Sequence, residues 1–189
     1  MSGALAYQEE YEKYEIINGE VYMMSSPSKN HIRINSNIDH IFDSYLDGKT
    51  CTPFSQFNVY LSDEDHFIPD EIIVCDPDII EDKGVYGVPD LVVEILSKST
   101  SRQDKNYKFF KYEQYGVKEY WIVDPFIKTV DVYLLKEGKF QRDNTYQFST
   151  DEEFNDLTER QKAEALFEIK VSLYDDFVIQ LKDIFKRVS

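Results

Sequence analysis

The stretch that decides the fold is Gly87-Val-Pro-Asp-Leu-Val-Val-Glu-Ile-Leu-Ser97, an apolar segment that carries two carboxylates. Its run of branched apolar residues predicts a strand over 91–96. Residues two apart on a strand share a face, so Asp90 and Glu94 point the same way. Two like charges on one face beside a core are costly unless a cation, a proton or a bound metal neutralises them. The segment therefore indicates a charged site built into a largely buried strand.

Two further elements supply groups that suit such a site. Pro69-Asp70 precedes a second apolar strand, and a lysine-rich helix that contains Lys108 follows the central segment. Carboxylate oxygens are the hard ligands that Mg²⁺ or Mn²⁺ prefers, so Asp70, Asp90 and Glu94 are the candidate metal ligands of a hydrolytic site. In that site Lys108 would orient the attacking water or stabilise charge on the scissile phosphate.

Each of these residues also has a purely structural interpretation. The carboxylates of Asp70, Asp90 and Glu94 are then solvated charges at strand edges, an interpretation that is weaker for Glu94 because its neighbours are apolar. Lys108 lies four residues after Asp104, where an exposed ion pair within a helix contributes only about 0.2–0.5 kcal/mol. Lys108→Ala is accordingly expected to abolish cleavage while leaving the melting temperature nearly unchanged. His31 and Glu20 are accessory candidates, and for His31 the alternative is a hydrogen-bonded surface residue.

Size and composition predict one packed domain. The chain has 189 residues, 42% of them hydrophobic and 15% aromatic, and it contains no linker or low-complexity tract. No apolar run approaches the roughly 20 residues of a membrane span, and no signal pattern opens the sequence, so a cytoplasmic protein without a membrane partner is expected. Cys51 and Cys75 lack zinc-site spacing. Both are expected to be reduced, partly buried thiols.

The net charge of −15 argues against a generic nucleic-acid binder, because such binding depends on neutralising phosphates. The local balance is different in the lysine-rich helix, where Arg102, Lys105 and Lys111 are the candidate DNA contacts. The alternative interpretation is that these residues form a solvated helix face. High aromatic content and uncovered sheet edges also predict a homodimer, whose two-fold symmetry would suit a two-stranded DNA substrate.

Alternating helices and strands predict an α/β or α+β class with a mixed sheet. Asn18-Gly19 and Glu137-Gly138 each indicate a hairpin, and Ser28 caps a helix that runs to about Asp47. Helices are also predicted over 6–14 and from a cap at 99–101 to Gly116, with an amphipathic stretch closing the chain near 185. The remaining predicted strands lie at 54–61, 71–75, 119–123 and 167–171.

The centre of the chain contains a long and specific motif, made up of 89–97, Ser99-Thr100, Asp104, Lys108, Tyr112 and 116–125. Weaker matches lie at 14–20, at Pro69-Asp70 and at 179–185. With these residues the chain resembles the Uma-type family of restriction endonucleases, part of the PD-(D/E)xK nuclease superfamily. The resemblance implies a single domain over residues 1–189, with a less typical acidic insert at about 150–164.

The resemblance also implies a restriction-endonuclease-like core, in which a bent mixed sheet flanked by helices holds metal-binding carboxylates. Asp70 would be the first acidic position and Glu94 the second, with Asp90 as an additional ligand or in the place given to Asp70. The lysine usual two residues after the second acid is Leu96 here, and Lys108 would place its ammonium in the same space. The implied function is Mg²⁺-dependent hydrolysis of DNA. The alternative is a catalytically inactive nuclease-fold protein that serves as an oligomerisation or nucleic-acid-binding module.

Overall fold

The structure is a computed structural model that describes residues 13–97 and 102–189, and the side chains of 102–106 are also outside the described part. The strands are β1 (Tyr14–Ile17), β2 (Glu20–Met23), β3 (Thr52–Ser55), β4 (Val59–Tyr60), β5 (His66–Phe67), β6 (Glu71–Val74), β7 (Ile80–Glu81), β8 (Gly84–Val85), β9 (Leu91–Ile95), β10 (Glu119–Asp124), β11 (Thr129–Lys136), β12 (Lys139–Gln147), β13 (Glu168–Lys170) and β14 (Val178–Gln180). The helices are α1 (Lys29–Leu46), α2 (Arg102–Tyr115), α3 (Asp151–Asn155), α4 (Glu159–Glu164) and α5 (Leu181–Ile184).

The main sheet has six strands in the order β12-β11-β10-β9-β6-β3. Its strand β9 pairs in parallel with β10 and antiparallel with β6, so the sheet is mixed. A strand paired on both edges and covered on both faces needs apolar side chains throughout. In β9 every residue is buried except Glu94, which is half-buried. The predicted α+β class with a mixed sheet is confirmed.

Two hydrophobic cores lie on opposite faces of the main sheet. One is formed with α1 and the C-terminal segment, and includes Phe42 against Trp121. The other is formed with α2 and a second sheet of order β2-β1-β5-β4-β8-β7, and includes Tyr112 and Tyr120. The second sheet and α2 therefore cover the face toward which Val92 and Glu94 point, and the candidate site lies under that cover.

Helix α1 follows its sequence signals closely. The Ser28 side chain accepts a hydrogen bond from the His31 amide, and Gly48 takes a positive φ of 73° just beyond the helix. Such a cap satisfies one of the amides that a helix start leaves without a partner. Buried residues recur at four-residue steps from Ile34 through Ile38 and Phe42 to Leu46.

Both predicted hairpins and the strands at 71–75, 119–123 and 167–171 are confirmed within one or two residues. The single strand predicted over 54–61 is wrong. The chain breaks at Gln56, which adopts a positive φ of 48°, and β3 and β4 join different sheets. The predicted helix over 6–14 falls mainly on residues outside the described part, and its last residue, Tyr14, begins β1 instead. The predicted cap at 99–101 also lies outside the described residues.

The prediction of two reduced thiols is wrong, because Cys51 and Cys75 form a disulfide with a Cα–Cα distance of 3.9 Å. The cause is strand register: β3 and β6 pair Thr52 with Val74, which brings the flanking cysteines opposite each other. Spacing along the sequence could not show a bond between strands 24 residues apart. In the part of the chain that the structure describes, none of the helices has the length and apolar character needed to cross a membrane.

Candidate active site

The first two acidic residues of the site meet because of antiparallel pairing between β6 and β9. The register pairs Glu71 with Val93 and Ile72 with Val92, so one further step brings Asp70 opposite Glu94. The Ile95 amide then donates a hydrogen bond of 2.7 Å to Asp70 Oδ2. The structure therefore brings together the two carboxylates that the sequence separates by more than twenty positions.

Lys108 of α2 lies at the same end of β9 as Glu94. Its Nζ donates to Glu94 Oε1 at 3.0 Å and Oε2 at 3.2 Å, and to Glu15 Oε1 at 2.7 Å. The Tyr112 hydroxyl, one turn further along α2, donates to Glu94 Oε1 at 2.9 Å. The ammonium thus reaches Glu94 from the following helix, the position predicted for it because residue 96 is a leucine and not a lysine. The Asp104 side chain, the alternative partner for Lys108, lies outside the described part.

Burial controls the protonation of this cluster. Burial, together with the charges of Glu15 and Asp70, raises the pKa of Glu94. The Lys108 ammonium lowers it, and the net result is a pKa of about 7. Burial alone would lower the pKa of Lys108, but the carboxylates of Glu94 and Glu15 outweigh it and raise that pKa above its usual value. Lys108 is therefore an ammonium at neutral pH. It can stabilise negative charge or orient a water molecule, but it cannot act as a base.

His31 approaches the first acid from the start of α1. Its Nε2 lies 3.2 Å from Asp70 Oδ2, and both side chains are 9% exposed. Burial would lower the pKa of His31, but the hydrogen bond and charge of Asp70 outweigh it, with a smaller effect of Glu94, and the pKa is raised. The accessory candidate His31 is thus in contact with the site. Glu20, the other accessory candidate, lies exposed on β2 and accepts a hydrogen bond from Tyr22.

Asp90 lies apart from the cluster. It precedes β9 at the end opposite Glu94, about 13 Å away at 3.3 Å per strand residue. Its Oδ2 accepts from the Cys75 amide and its Oδ1 from Lys118 Nζ, each at 2.7 Å. Asp90 therefore shares a face with Glu94, as the sequence predicts, but the structure does not bring it together with Asp70 and Glu94. Its contacts secure the start of β9 to β6 and to the turn before β10.

The candidate DNA contacts have different positions. Lys111 is directed inward, with its Nζ 2.7 Å from Asp65 Oδ2 and its side chain only 14% exposed. The same Asp65 oxygen accepts from the Tyr115 hydroxyl, and Oδ1 accepts from the Asn18 amide. Lys111 thus joins α2 to the β1–β2 hairpin instead of facing solvent. The side chains of Arg102 and Lys105 are outside the described part.

Glu15 is the residue of the cluster that sequence reasoning missed. It accepts from the Ile68 amide at 2.9 Å as well as from Lys108, and only 7% of it is exposed. The signal was present in the alternation of β1, where Glu15 and Ile17 share the buried face. A charge at an inward position of a strand indicates a partner, as it does for Glu94.

The donor set matches Mg²⁺ in kind. Magnesium is commonly held by one or two carboxylates, with water completing its coordination, and Asp70 and Glu94 provide two carboxylates at paired positions. The side-chain contacts of Asp70 with described residues use Oδ2, so among the described residues Oδ1 is the oxygen left to bind a metal. Within residues 13–97 and 102–189, no group of three or more His, Cys, Asp or Glu side chains is arranged to hold a metal ion. A metal here would therefore depend on these two carboxylates and on water.

The chain is similar to several known proteins. The sequence profile of the Uma2 family, described as "Putative restriction endonuclease", matches residues 4–172. Two uncharacterized proteins of Synechocystis sp. (strain ATCC 27184 / PCC 6803 / Kazusa) are similar. The first, slr1290, is 31% identical over 125 residues, or 65% of this chain and 66% of the relative. The second, sll1609, is 29% identical over 133 residues, or 65% of this chain and 72% of the relative.

A solved structure shows the same fold. It is the crystal structure described as that of a putative nuclease belonging to DUF820 from Anabaena variabilis. It superposes with a TM-score of 0.69 and 18% sequence identity, covering 91% of this chain and 89% of that chain. At that identity the likeness concerns the fold alone, and the mixed sheet of this chain shares the fold of that protein.

Proposed function

This chain belongs to the Uma2 family, described as "Putative restriction endonuclease", and from that membership we propose that it is a metal-dependent DNA endonuclease. Its site would be formed by Asp70, Glu94, Glu15 and Lys108. The observation that carries the proposal is the position of Lys108, which lies within 3.2 Å of both Glu94 oxygens and within 2.7 Å of Glu15. A buried ammonium beside paired acidic residues is the charge arrangement that phosphodiester hydrolysis needs.

The residues have distinct roles in this proposal. Asp70 and Glu94 would hold Mg²⁺, which when bound supplies a more acidic water and offsets charge on the departing oxygen. Lys108, kept protonated by two carboxylates, stabilises the negative charge that develops on the scissile phosphate. Glu15 and Tyr112 hold the ammonium and the Glu94 carboxylate in position. His31 fixes the orientation of Asp70 through Oδ2 and leaves Oδ1 available.

The second candidate function is a nuclease-fold module that binds nucleic acid without cleaving it. Leu96 favours this alternative, since the position usual for the catalytic lysine is apolar here. The direct ion pair between Lys108 and Glu94 favours it as well, because an ammonium held by both acidic partners competes with metal for the same carboxylates.

Cleavage of supercoiled plasmid DNA with Mg²⁺ or Mn²⁺ separates the two functions. Wild type is expected to nick or linearise the plasmid, while Glu94→Gln and Lys108→Met lose activity by about 100-fold or more. Lys139→Met is the matched control, because Lys139 also pairs with a glutamate but is 76% exposed and far along the chain from the site. Its activity should equal wild type.

Binding measured with non-cleaving Ca²⁺ completes the test. Metal-dependent binding without cleavage by wild type would support the inactive module and contradict the enzyme. Cleavage retained in Glu94→Gln would show that the activity comes from a contaminant or from another site.

A further inference from the structure

Among the described residues, two glutamates are completely buried, and they differ in their hydrogen bonding. Glu119 and Glu71 are both 0% exposed. Each oxygen of Glu119 accepts a hydrogen bond, one from Trp121 Nε1 at 2.6 Å and one from the Ser172 amide at 2.7 Å. Neither oxygen of Glu71 has a hydrogen-bond partner among the described residues. Buried polar groups nearly always have partners, so the environment of Glu71 needs a physical explanation.

Glu71 begins β6 and alternates with Asp70, so it faces α1 while Glu94 faces α2. Across the sheet it pairs with Ser55 of β3 on one side and Val93 of β9 on the other. The facing surface of α1 carries Asn35 and, four residues later, Asp39. Their side chains share one face of the helix, and the Asp39 charge raises the pKa of Glu71. We call these four residues, Asn35, Asp39, Ser55 and Glu71, the α1 seam.

Among the described residues, three oxygens of the α1 seam have no hydrogen-bond donor: both of Glu71 and Oδ1 of Asn35. Asn35 Nδ2 donates to Ser55 Oγ at 2.7 Å, and Ser55 Oγ is oriented toward the Asp70 carbonyl oxygen at 3.4 Å. Interaction with the Ser55 side chain partly offsets the effect of burial on the pKa of Glu71, but no described residue lies in good hydrogen-bonding geometry with either of its oxygens. Asn35 Oδ1 is also buried without a partner. A carboxylate and an amide oxygen that share a buried space require a proton or a cation between them.

We propose that the α1 seam is a second cation site, for a hard divalent ion of the Ca²⁺ or Mg²⁺ type, held by Glu71 with the oxygens of Asn35 and Asp39. Two carboxylates with amide and hydroxyl oxygens form the mixed oxygen set that such ions take. The site lies on the opposite face of the sheet from Glu94, so it is separate from the candidate active site. Exposed Ser55 and half-buried Asp39 mark the route by which an ion enters. The proposal holds whether or not the protein cleaves DNA.

Binding of this ion has a structural consequence for the neighbouring site. Asn35 lies one helical turn after His31, and Glu71 is adjacent to Asp70. An ion between Asn35 and Glu71 would therefore tie α1 to β6 next to the place where His31 contacts Asp70. It would act as a positioning element for Asp70 and would contribute no atom to the reaction.

Calorimetric titration of Glu94→Gln with CaCl₂ and with MgCl₂ tests the proposal, because that change disables the candidate active site. We expect saturable binding of one of the two ions and a rise in melting temperature at saturating ion. The isosteric double variant Glu94→Gln/Glu71→Gln should bind at least about tenfold more weakly. Asn35→Ala in the Glu94→Gln background should weaken binding in the same direction and serves if the first variant folds poorly.

Asn37→Ala is the matched control, since Asn37 lies on α1 but donates to the backbone of Ile184 and Lys186. It should bind the ion as the Glu94→Gln parent does. Absence of saturable binding by folded Glu94→Gln protein, or binding unchanged by both Glu71→Gln and Asn35→Ala, would overturn the second site. Neither result would bear on DNA cleavage, which is measured with wild type against Glu94→Gln.

Discussion

Among single residues, Lys108 has the largest effect on the candidate site, because it supplies the positive charge between two glutamates. Its side chain is 13% exposed, and the two glutamates that it contacts are 9% and 15% exposed. Lys108→Met would leave two carboxylates close together with no cation. Removing one partner of a buried ion pair costs about 3–5 kcal/mol, so the free energy of unfolding should fall markedly at pH 8. The expectation of an unchanged melting temperature, which assumed an exposed pair with Asp104, is replaced by this one.

Urea denaturation of Lys108→Met at pH 8 and pH 5.5 provides the measurement. The loss should be smaller at pH 5.5, because the raised pKa of Glu94 lets that carboxyl become neutral there. Lys139→Met, which removes an ion pair whose lysine is 76% exposed, should cost much less stability than Lys108→Met. Equal stability of Lys108→Met and wild type at pH 8 would contradict a buried ion-pair cluster.

A second prediction for a single residue concerns Glu71 and the pH dependence of stability, measured with a chelator present so that no metal ion is bound. Burial raises its pKa from 4.5 to about 9, so between these values the folded protein binds a proton that the unfolded chain releases. The free energy of unfolding should therefore fall as pH rises through this window, by about 1.4 kcal/mol per pH unit for one proton. Glu71→Gln should remove that part of the slope. Parallel pH profiles of wild type and Glu71→Gln from pH 6 to pH 8 would contradict it.

Sequence patterns identified the residues of the site unequally. Alternation within one strand was enough to place Glu94 on a buried face. The acidic residue before a second apolar strand and the lysine-rich helix then indicated Asp70 and Lys108, to which the family resemblance gave their positions in the motif. Asp90 has the same alternation, but its distance from Asp70 depends on how β6 and β9 are aligned. Only the strand register determines that alignment. Glu71 follows Asp70 directly, and its burial against α1 depends on a helix more than twenty residues earlier. Such contacts between elements have no signal in local spacing.

Among the secondary-structure elements, β3 and β6 are joined by the disulfide, which links the start of β3 to the end of β6 at the edge of the main sheet. It closes a loop of 24 residues, for which restriction of the unfolded chain gives about 2–4 kcal/mol of stabilisation. Reduction with dithiothreitol should lower the urea midpoint of wild type. The Cys51→Ala/Cys75→Ala variant should have the lower midpoint and be insensitive to dithiothreitol. Detection of two free thiols in unfolded, unreduced protein would contradict the bond.

Predicted elements were most accurate where one local signal was sufficient. Asn-Gly and Glu-Gly turns fixed both hairpins, and Ser28 with Gly48 fixed α1. The segment 54–61 was predicted as one strand because aromatic and aliphatic residues recur along it. The turn at Gln56 sends β4 into another sheet, and glutamine carries no turn signal. The short strands β7 and β8 also depend on pairing with their neighbours, and the local sequence did not predict them.

The net charge of −15 bears on function at the scale of the whole molecule. Lys111 is committed to Asp65, which leaves Arg102 and Lys105 as the candidate contacts of α2. DNA binding should therefore be weak in chelator and stronger with Ca²⁺, with a salt slope that reflects few phosphates, about −0.9 for each one neutralised. Fluorescence anisotropy across a salt series measures this. Arg102→Glu/Lys105→Glu should abolish binding, whereas affinity unaffected by metal and by this variant would contradict DNA as the ligand.

Assembly is the last whole-molecule prediction, and it concerns β2, which lies at the end of the second sheet. An edge strand offers unpaired backbone groups to another chain. Here Val21 and Met23 are 61% and 56% exposed beside Tyr14 at 45%, so the edge is apolar as well. A second copy pairing across this edge by a two-fold axis would cover both. We expect a dimer by light scattering at micromolar concentration, and a monomer after Val21→Lys/Met23→Lys. Lys49→Glu, a change on an exposed residue outside the sheet, should remain dimeric, and a monomeric wild type would contradict the prediction.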